Sequence, residues 1–577
     1  MDKHVIAAVL TEIGTLMELR GENPFRARAF YGAARVIEGL TGDIAELVRT
    51  GALAKIKGIG PATAEVAREL VETGISTVHR ELREATPPGL FEVLEVPGLG
   101  AKRIHTLHKE LGIASLDDLE RAAVEGRIAG LAGFGAKTQE KILEGVAFLR
   151  SVAGRRRWPE AHAIAVAAAG ALGSVPGVRR VEVAGGVRRL METVDRVEIL
   201  VEADDATAVL AAVGSLPGVA EVRPAGDDAV AARLAEGATL FVRCATPTSF
   251  AAALLHATGG EEHWAALAER AASLGLELTP GGLLRDGSPV GAEDEAALYA
   301  ALGLAYVPPE LREGRGEVEA AAAGSLPRLV AYEDLQGCFH CHTTYSDGRA
   351  TLREMAEAAR ARGWRYLGIA DHSRAAAYAG GLSPDDVRRQ HDEIDAWNEE
   401  HGRELWLFKG IEADILPDGR LDYADGDEEV LASMDYVVGS VHSSFGLSQS
   451  EQTERVLRAM ENPYLTFLGH PTGRLLLSRR GFAIDLDAVI DAAAERGVAI
   501  EINANPHRLD MDWRYWRDAK AKGVRTAINP DAHSVEGLDD VRYGVGVARK
   551  GWLGVEDVVN AWGVGEVGAY LGRKRLG

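Results

Sequence analysis

The chain of 577 residues has only three cysteines, Cys244, Cys338 and Cys341. That argues against a disulfide scaffold and suits a reducing compartment. It has no run of about 18 uncharged apolar residues, so no membrane span is expected. Met1-Asp2-Lys3-His4 opens straight into a periodic helix. No basic segment followed by an apolar core stands there, so secretion is not expected and cytoplasmic residence is. Positive charge is also scarce, with a net charge of −22. Nucleic-acid binders usually show a basic balance, but the distribution matters more. Lys plus Arg against Asp plus Glu is 19 to 21 over residues 1–150, 16 to 26 over 151–334 and 29 to 39 over 335–577. The N-terminal part is therefore nearly neutral, and bound divalent cations would offset part of the C-terminal acid.

The length implies several domains. Val5, Val9, Ile13, Leu16 and Met17 recur at helical spacing. Residues 51–150 then repeat one short pattern three times: Ile56-Lys-Gly-Ile-Gly60, Val96-Pro-Gly-Leu-Gly100 and Leu131-Ala-Gly-Phe-Gly135. Each copy places an apolar residue between two glycines and precedes a helical stretch. Arg155-Arg156-Arg157 forms a short basic link. Strand-like and helix-like stretches alternate from Ala161, and the Gly, Ala and Glu of 314–331 suggest a linker. From about 335 onward, short apolar strands alternate with helices, the rhythm of parallel βα units closed as a barrel.

Ligand-type side chains sit just past those strands. They are His340 and His342, Asp347, His372, Glu412, His442, His470, and Asp531 with His533. Chemistry in parallel α/β folds collects at the C-terminal strand ends. His-x-His and Asp-x-His on a strand place both side chains on one face. Imidazole with carboxylate and no thiolate suits Zn²⁺, Mn²⁺ or iron in a hydrolytic centre, where a bound water is acidified and phosphate oxygens are clamped. His340, His342, Glu412 and Asp531 are the catalytic candidates. Arg474, in His470-Pro-Thr-Gly-Arg474, is a candidate for holding a substrate phosphate, with a solvated surface arginine as the alternative. Cys338-x-x-Cys341 lacks a second pair, and both cysteines are expected to pack.

These residues resemble the PHP (polymerase and histidinol phosphatase) domain over about 335–570. The resemblance implies a distorted βα barrel with two or three divalent cations. It implies that Glu412 bridges two of them, with His340, His342 and Asp531 on one side and His442 and His470 on the other. Asp347, His372 and His533 would hold the third.

The glycine pattern is a helix–hairpin–helix signature. Gly58, Gly60, Gly98 and Gly100 let a DNA phosphate approach backbone N–H groups and a helix N-terminus, a sequence-independent contact. With these hairpins ahead of 161–313, the whole chain resembles a bacterial family X DNA polymerase, similar to DNA polymerase β, with a C-terminal PHP domain. Asn23-Pro-Phe-Arg-Ala-Arg28 matches its N-terminal DNA-binding domain, Ala184-Gly-Gly-Val-Arg-Arg189 its nucleotide-binding turn, and Thr258-Gly-Gly-Glu-Glu-His263 and Gly303–Arg312 its thumb. The fold class implied is multidomain, α+β and α/β. It comprises a helical domain at 1–85, a fingers-like helical domain at 86–157, a nucleotidyltransferase-like palm at 158–245, a thumb at 246–316, a linker at 317–334 and the PHP domain at 335–577.

The palm departs from the family pattern. Two metals held by three carboxylates serve nucleotidyl transfer. Here Arg196 replaces the first Asp of the family's Asp-x-Asp, Glu198 the second, and Phe241 the third carboxylate. Asp195 and Glu198 would lie on opposite faces of a regular strand. A cation at 196 would repel the Mg²⁺ or Mn²⁺ of such a palm, so weak or absent templated synthesis is expected. Ala62 and Val66 stand where relatives carry lyase lysines, so deoxyribose-phosphate lyase activity is not expected. The resemblance favours a monomeric, nucleoid-associated repair enzyme that binds gapped, nicked or primer–template DNA and acts as a 3′–5′ exonuclease or phosphoesterase. Alternatives are a Mn²⁺-dependent gap-filling polymerase using deoxynucleotides, a non-catalytic DNA-end scaffold and a small-molecule phosphatase.

Overall fold

A computed structural model describes residues 3–38, 40 and 44–573; Met1 and Asp2 lie outside them. The chain divides into two compact units, 1–153 and 154–577. The division precedes the expected boundary at 157 because Arg156 and Arg157 already pair antiparallel with Val194 and Thr193 of the second unit.

The first unit is helical. Helix Lys3–Leu19 buries Ile6, Leu10, Ile13 and Met17 against Ala27, Phe30 and Ala34 of helix Pro24–Glu38. Val5, expected on that face, is exposed instead. A one-residue offset turns a helix by about 100°, which is enough to change faces. The three glycine patterns form three alike turns. Ile59, Leu99 and Phe134 donate their N–H groups to the carbonyls of Ile56, Val96 and Leu131. Gly58, Gly98 and Gly133 take positive φ of 99°, 81° and 84°, a region that favours glycine. Gly60, Gly100 and Gly135 then precede α1 (Pro61–Thr73), α2 (Ala101–Leu111) and α3 (Ala136–Val152) in extended conformation.

The second unit opens with a five-stranded sheet. It comprises β1 (Val178–Ala184), β2 (Val197–Ala203), β3 (Val219–Pro224), β4 (Ala229–Leu234) and β5 (Thr239–Ala245), in the order β1-β2-β5-β4-β3. β2 and β5 run parallel, and the other neighbours are antiparallel. A helical subdomain follows, with a core of Leu255, Leu267, Leu298, Tyr299 and Leu302. Residues 317–329 of the stretch expected as a linker are folded into it, while Val330 already packs in the core of the following domain. Helix Glu317–Ala322 buries Val318 and Ala321 in that core, and the Glu317 carboxylate lies 2.6 Å from His263 Nδ1. Ala and Glu are strong helix formers, so the composition taken for a linker makes a helix once it has a surface to cover.

The remainder is a curled, all-parallel six-stranded sheet in sequential order. Its strands are β6 (Tyr366–Ile369), β7 (Trp406–Asp414), β8 (Tyr436–Ser440), β9 (Leu465–Leu468), β10 (Ala499–Asn503) and β11 (Thr526–Asn529). The segment 338–342 bridges its two edges. Gly368 and Ala370 donate to the carbonyls of Cys338 and Cys341, while His342 donates to Ala532 and Ala532 to His340. Phe339, Tyr366, Phe408, Tyr436 and Phe467 fill the interior, joined by Val567 and Tyr570 of the C-terminal helix Val564–Gly572. Gly410 is required there, since a Cβ would meet the Tyr436 ring at 2.2 Å. Cys338 and Cys341 are buried in the outer core between sheet and helices.

Candidate metal centre

The aromatic plug occupies one end of the curled sheet, and the polar residues gather past the C-terminal strand ends. All nine side chains singled out in the sequence converge there, with Glu412 at the centre. Its carboxylate lies 3.3 Å from His340 Nε2, 2.8 Å from His372 Nδ1, 3.3 Å from His442 Nε2 and 3.2 Å from His470 Nε2. His342 Nε2 lies 3.3 Å from Asp531, and Asp347 is 3.3 Å from His533 Nε2 and 3.6 Å from His372 Nε2. Three groups have ligand atoms close enough to share a cation: His342, Asp347, His372 and His533; His340, His342 and Glu412; His372, Glu412 and His442. His342 and His372 each belong to two groups, unlike the separate sets that the resemblance implied.

Several atoms of the cluster are buried and make no hydrogen bond of good geometry: His340 Nε2, both nitrogens of His342, His372 Nδ1, Glu412 Oε2 and His470 Nδ1; close approaches such as His372 Nδ1 to Glu412 Oε2 at 2.8 Å are misaligned. Buried polar atoms are ordinarily paired. A clustered set of orphaned imidazole nitrogens and a carboxylate oxygen is a donor set that fits divalent cations. Burial alone would raise the Glu412 carboxyl, but His442, His340 and His372 hold it well below the usual carboxylate range. Burial and the neighbouring His533 push His342 down to about 3, so it is neutral, as a ligand must be. Burial opposes charge on His442, yet Glu412 and Asp414 push it up to about 10.

An outer ring of acids orients these imidazoles, and none of it was singled out in the sequence. Glu501 lies 2.7 Å from His340 Nδ1 and accepts from the His470 N–H at 2.8 Å. Asp414 lies 2.7 Å from His442 Nδ1. Asp371 accepts from the Thr343 N–H and hydroxyl, fixing the turn between His342 and Asp347. Such partners set tautomer and ring orientation. A fully buried acid in the apolar run Ala499-Ile-Glu-Ile-Asn503 was the signal that could have found Glu501.

Arg474 does not face this cluster with a free guanidinium. It donates to the carbonyls of Arg508 and Leu509 and to Asp512, so it holds the 508–512 loop. The loop presents Arg508, whose Nε is 3.5 Å from Asp531 Oδ2.

The palm is arranged differently. The parallel register sets Phe241 of β5 beside Glu198 of β2. Arg196 Nε binds Glu198 at 3.0 Å, and the guanidinium groups of Arg196 and Arg243 lie 5.2 and 5.8 Å from the Phe241 ring centre. These residues face a cavity of about 690 Å³ that Arg155 and Arg189 also line.

Comparison with known proteins covers most of this architecture. Family models match as a helix-hairpin-helix domain over residues 1–76 and a SAM-like helix-hairpin-helix tandem over 50–111 and 90–147. Two more match as the DNA polymerase beta thumb over 253–313 and the PHP domain over 339–505. A "Probable phosphatase" of Acetivibrio thermocellus is 30% identical over 205 residues, 34% of this chain and 78% of that protein. Another, of Thermoanaerobacter sp. (strain X514), is 27% identical over 249 residues, 41% of this chain and 94% of that protein. The "DNA polymerase/3'-5' exonuclease PolX" of Bacillus subtilis (strain 168) is 36% identical over 581 residues, covering 99% of this chain and 100% of that protein. Identity of that extent, with helix–hairpin–helix, thumb and PHP segments in the same chain, means that the chain belongs to the bacterial family X DNA polymerases with a C-terminal PHP domain.

Proposed function

We propose that the chain is a DNA-repair protein that binds gapped or nicked DNA, degrades or trims 3′ ends at its PHP centre, and carries a degenerate polymerase site in its palm. The observation that carries this reading is the set of orphaned, buried ligand atoms around Glu412. Two or three divalent cations held by the nine residues, of Zn²⁺, Mn²⁺ or Fe²⁺ type, would supply Lewis-acid polarisation of the phosphodiester and acidify water. The protein's own part is orientation. Glu501 and Asp414 fix the imidazoles of His340 and His442. Arg508, rather than Arg474, supplies the fixed cation for a substrate phosphate, steadied by Arg474 through the loop backbone.

The palm reading rests on Arg196, Glu198 and Phe241. Arg196 ties up the carboxylate of Glu198, and an aromatic ring stands beside it where a third carboxylate would be needed. Asp195 and Glu261 line the same cavity but lie off the β2 and β5 faces that would share a metal pair. The residues do not fit two divalent cations. Cytoplasmic, nucleoid-associated residence and a monomeric state belong to the same reading; among the described residues no helix is long and apolar enough to cross a membrane.

A labelled primer–template incubated with Mn²⁺, with and without deoxynucleotides, tests the proposal. Wild type should shorten the primer. His342→Ala should shorten it at least about a hundredfold more slowly, since even changes to residues that only orient the metal's ligands cost about 10–100-fold. Neither protein should extend it. Extension without shortening would establish the Mn²⁺-dependent polymerase instead. Neither reaction, with DNA binding retained, would establish the scaffold.

A further inference from the structure

We propose that the palm cleft is a phosphate-binding site that works without a divalent cation, with the guanidinium groups of Arg155, Arg189, Arg196 and Arg243 standing in for metal ions. Its ligand is a phosphorylated nucleotide species, either a free nucleoside triphosphate or the 5′-phosphate of a DNA end. This rests on the reading of the palm as lacking a metal pair.

Four arginines line the cavity of about 690 Å³, a volume within the range of small-molecule sites. The acids of the lining are Asp195, Glu198 and Glu261, and Glu198 is already bound by Arg196. The carboxylate partners of Arg189 and Arg243, Glu313 and Asp228, stand outside the lining. Each guanidinium gives only part of its donors to the protein. Arg155 bonds Thr193 through Nε and Nη2, Arg189 bonds Glu313 and Thr258 through Nε and Nη1, and Arg196 bonds Glu198 through Nε.

The sheet register explains why the cations gather there. Phe241 and Arg243 share one direction along β5, Glu198 of β2 lies beside Phe241, and Arg196, in the bend just before β2, reaches Glu198 through its Nε. The guanidinium groups of Arg196 and Arg243 both lie against the Phe241 ring. Cation–π attraction to this ring steadies both guanidinium groups on the wall of the cavity, and their carboxylate partners leave further N–H donors for an anion. Arginine stays charged throughout the working pH range and presents a planar fork that matches phosphate oxygens. The position at which related palms need carboxylates for metal is thus filled by groups that bind what the metal would have bound.

The test is fluorescence anisotropy of a dye-labelled deoxynucleoside triphosphate with the full chain in EDTA. Saturable binding is expected, weakening as salt rises. It should weaken about tenfold or more in Arg196→Ala, the scale of one charge-assisted hydrogen bond, and be partly restored in Arg196→Lys. The Arg196 side chain is 48% exposed, so folding should survive, and a thermal melt checks that it does. Displacement by inorganic triphosphate alone assigns the site to the free nucleotide. Displacement by a nicked duplex bearing a 5′-phosphate, but not by one ending in a hydroxyl, assigns it to a DNA end. No binding in EDTA, equal binding by Arg196→Ala, or a probe displaced by neither competitor overturns the arginine site. Binding that appears only with Mg²⁺ or Mn²⁺ and leads to primer extension overturns the metal-free palm beneath it.

Discussion

In the PHP centre, imidazoles and carboxylates converge on Glu412 and leave buried atoms without partners. In the palm cleft, four guanidinium groups line one cavity, two of them against Phe241, and have protein partners in Thr193, Glu313, Glu198 and Asp228. On our proposal both sites meet phosphate, yet their charge designs are opposite. The first is incomplete as a protein and fits added cations. The second already contains its cations. The family resemblance implies a ligand at each of the nine positions of the first site, whereas at the second it implies a carboxylate at position 196, where this chain has an arginine.

The largest effect that could break this contrast is expected at Glu501. Glu501→Gln keeps the shape but replaces an acceptor oxygen with an amide donor, facing His340 Nδ1 or the His470 N–H. Metal affinity measured by titration should fall about 10–100-fold, and exonuclease rate at limiting Mn²⁺ should fall with it. Nucleotide binding in EDTA should not change. An equal loss in both assays would mean that the two sites are one coupled system. A smaller effect is expected at Arg508. Arg508→Ala should lower kcat/KM for primer shortening about tenfold, the loss of one charge-assisted phosphate contact, with metal content unchanged. Were Arg474→Ala alone to impair turnover while Arg508→Ala did not, the phosphate contact would return to Arg474.

Much of the metal centre was legible because its nine residues come in short motifs, most of them at the ends of successive strands, a pattern that packing alone rarely produces. Their outer partners were harder to see. Asp414 lies two residues beyond Glu412 on one strand face, a spacing that could have pointed to it, though the sequence reading did not single it out. Glu501 reads as an isolated charge in an apolar strand, and only the fold shows it beneath His340. Arg474 misled because a motif shows where a side chain starts, while its hydrogen bonds go to backbone carbonyls 34 and 35 residues away. The helix at 317–322 was missed because composition does not reveal that a neighbouring core offers a surface for Val318 and Ala321. The substitutions in the palm were visible as letters. Their grouping around one aromatic ring needed the β2–β5 register.

On our proposal the hairpins would add a third kind of phosphate contact, through backbone N–H groups, and their glycines allow folding to be separated from binding. Gly98 has φ of 81°, a conformation that costs an L-residue roughly 1–2 kcal/mol. Gly98→Ala should therefore lower the stability of the first unit by about that amount. Gly100 is extended, with φ of −86°, and a Cβ there would meet no atom within 4 Å. Among the described residues nothing demands glycine at 100, whereas a DNA backbone passing close to the start of α2 would. Gly100→Ala should melt within a degree or two of wild type and bind gapped DNA several-fold more weakly by anisotropy. Unchanged DNA affinity in Gly100→Ala would remove this hairpin from the DNA contact. It would leave the positive φ at Gly98 as the local reason for glycine in the pattern.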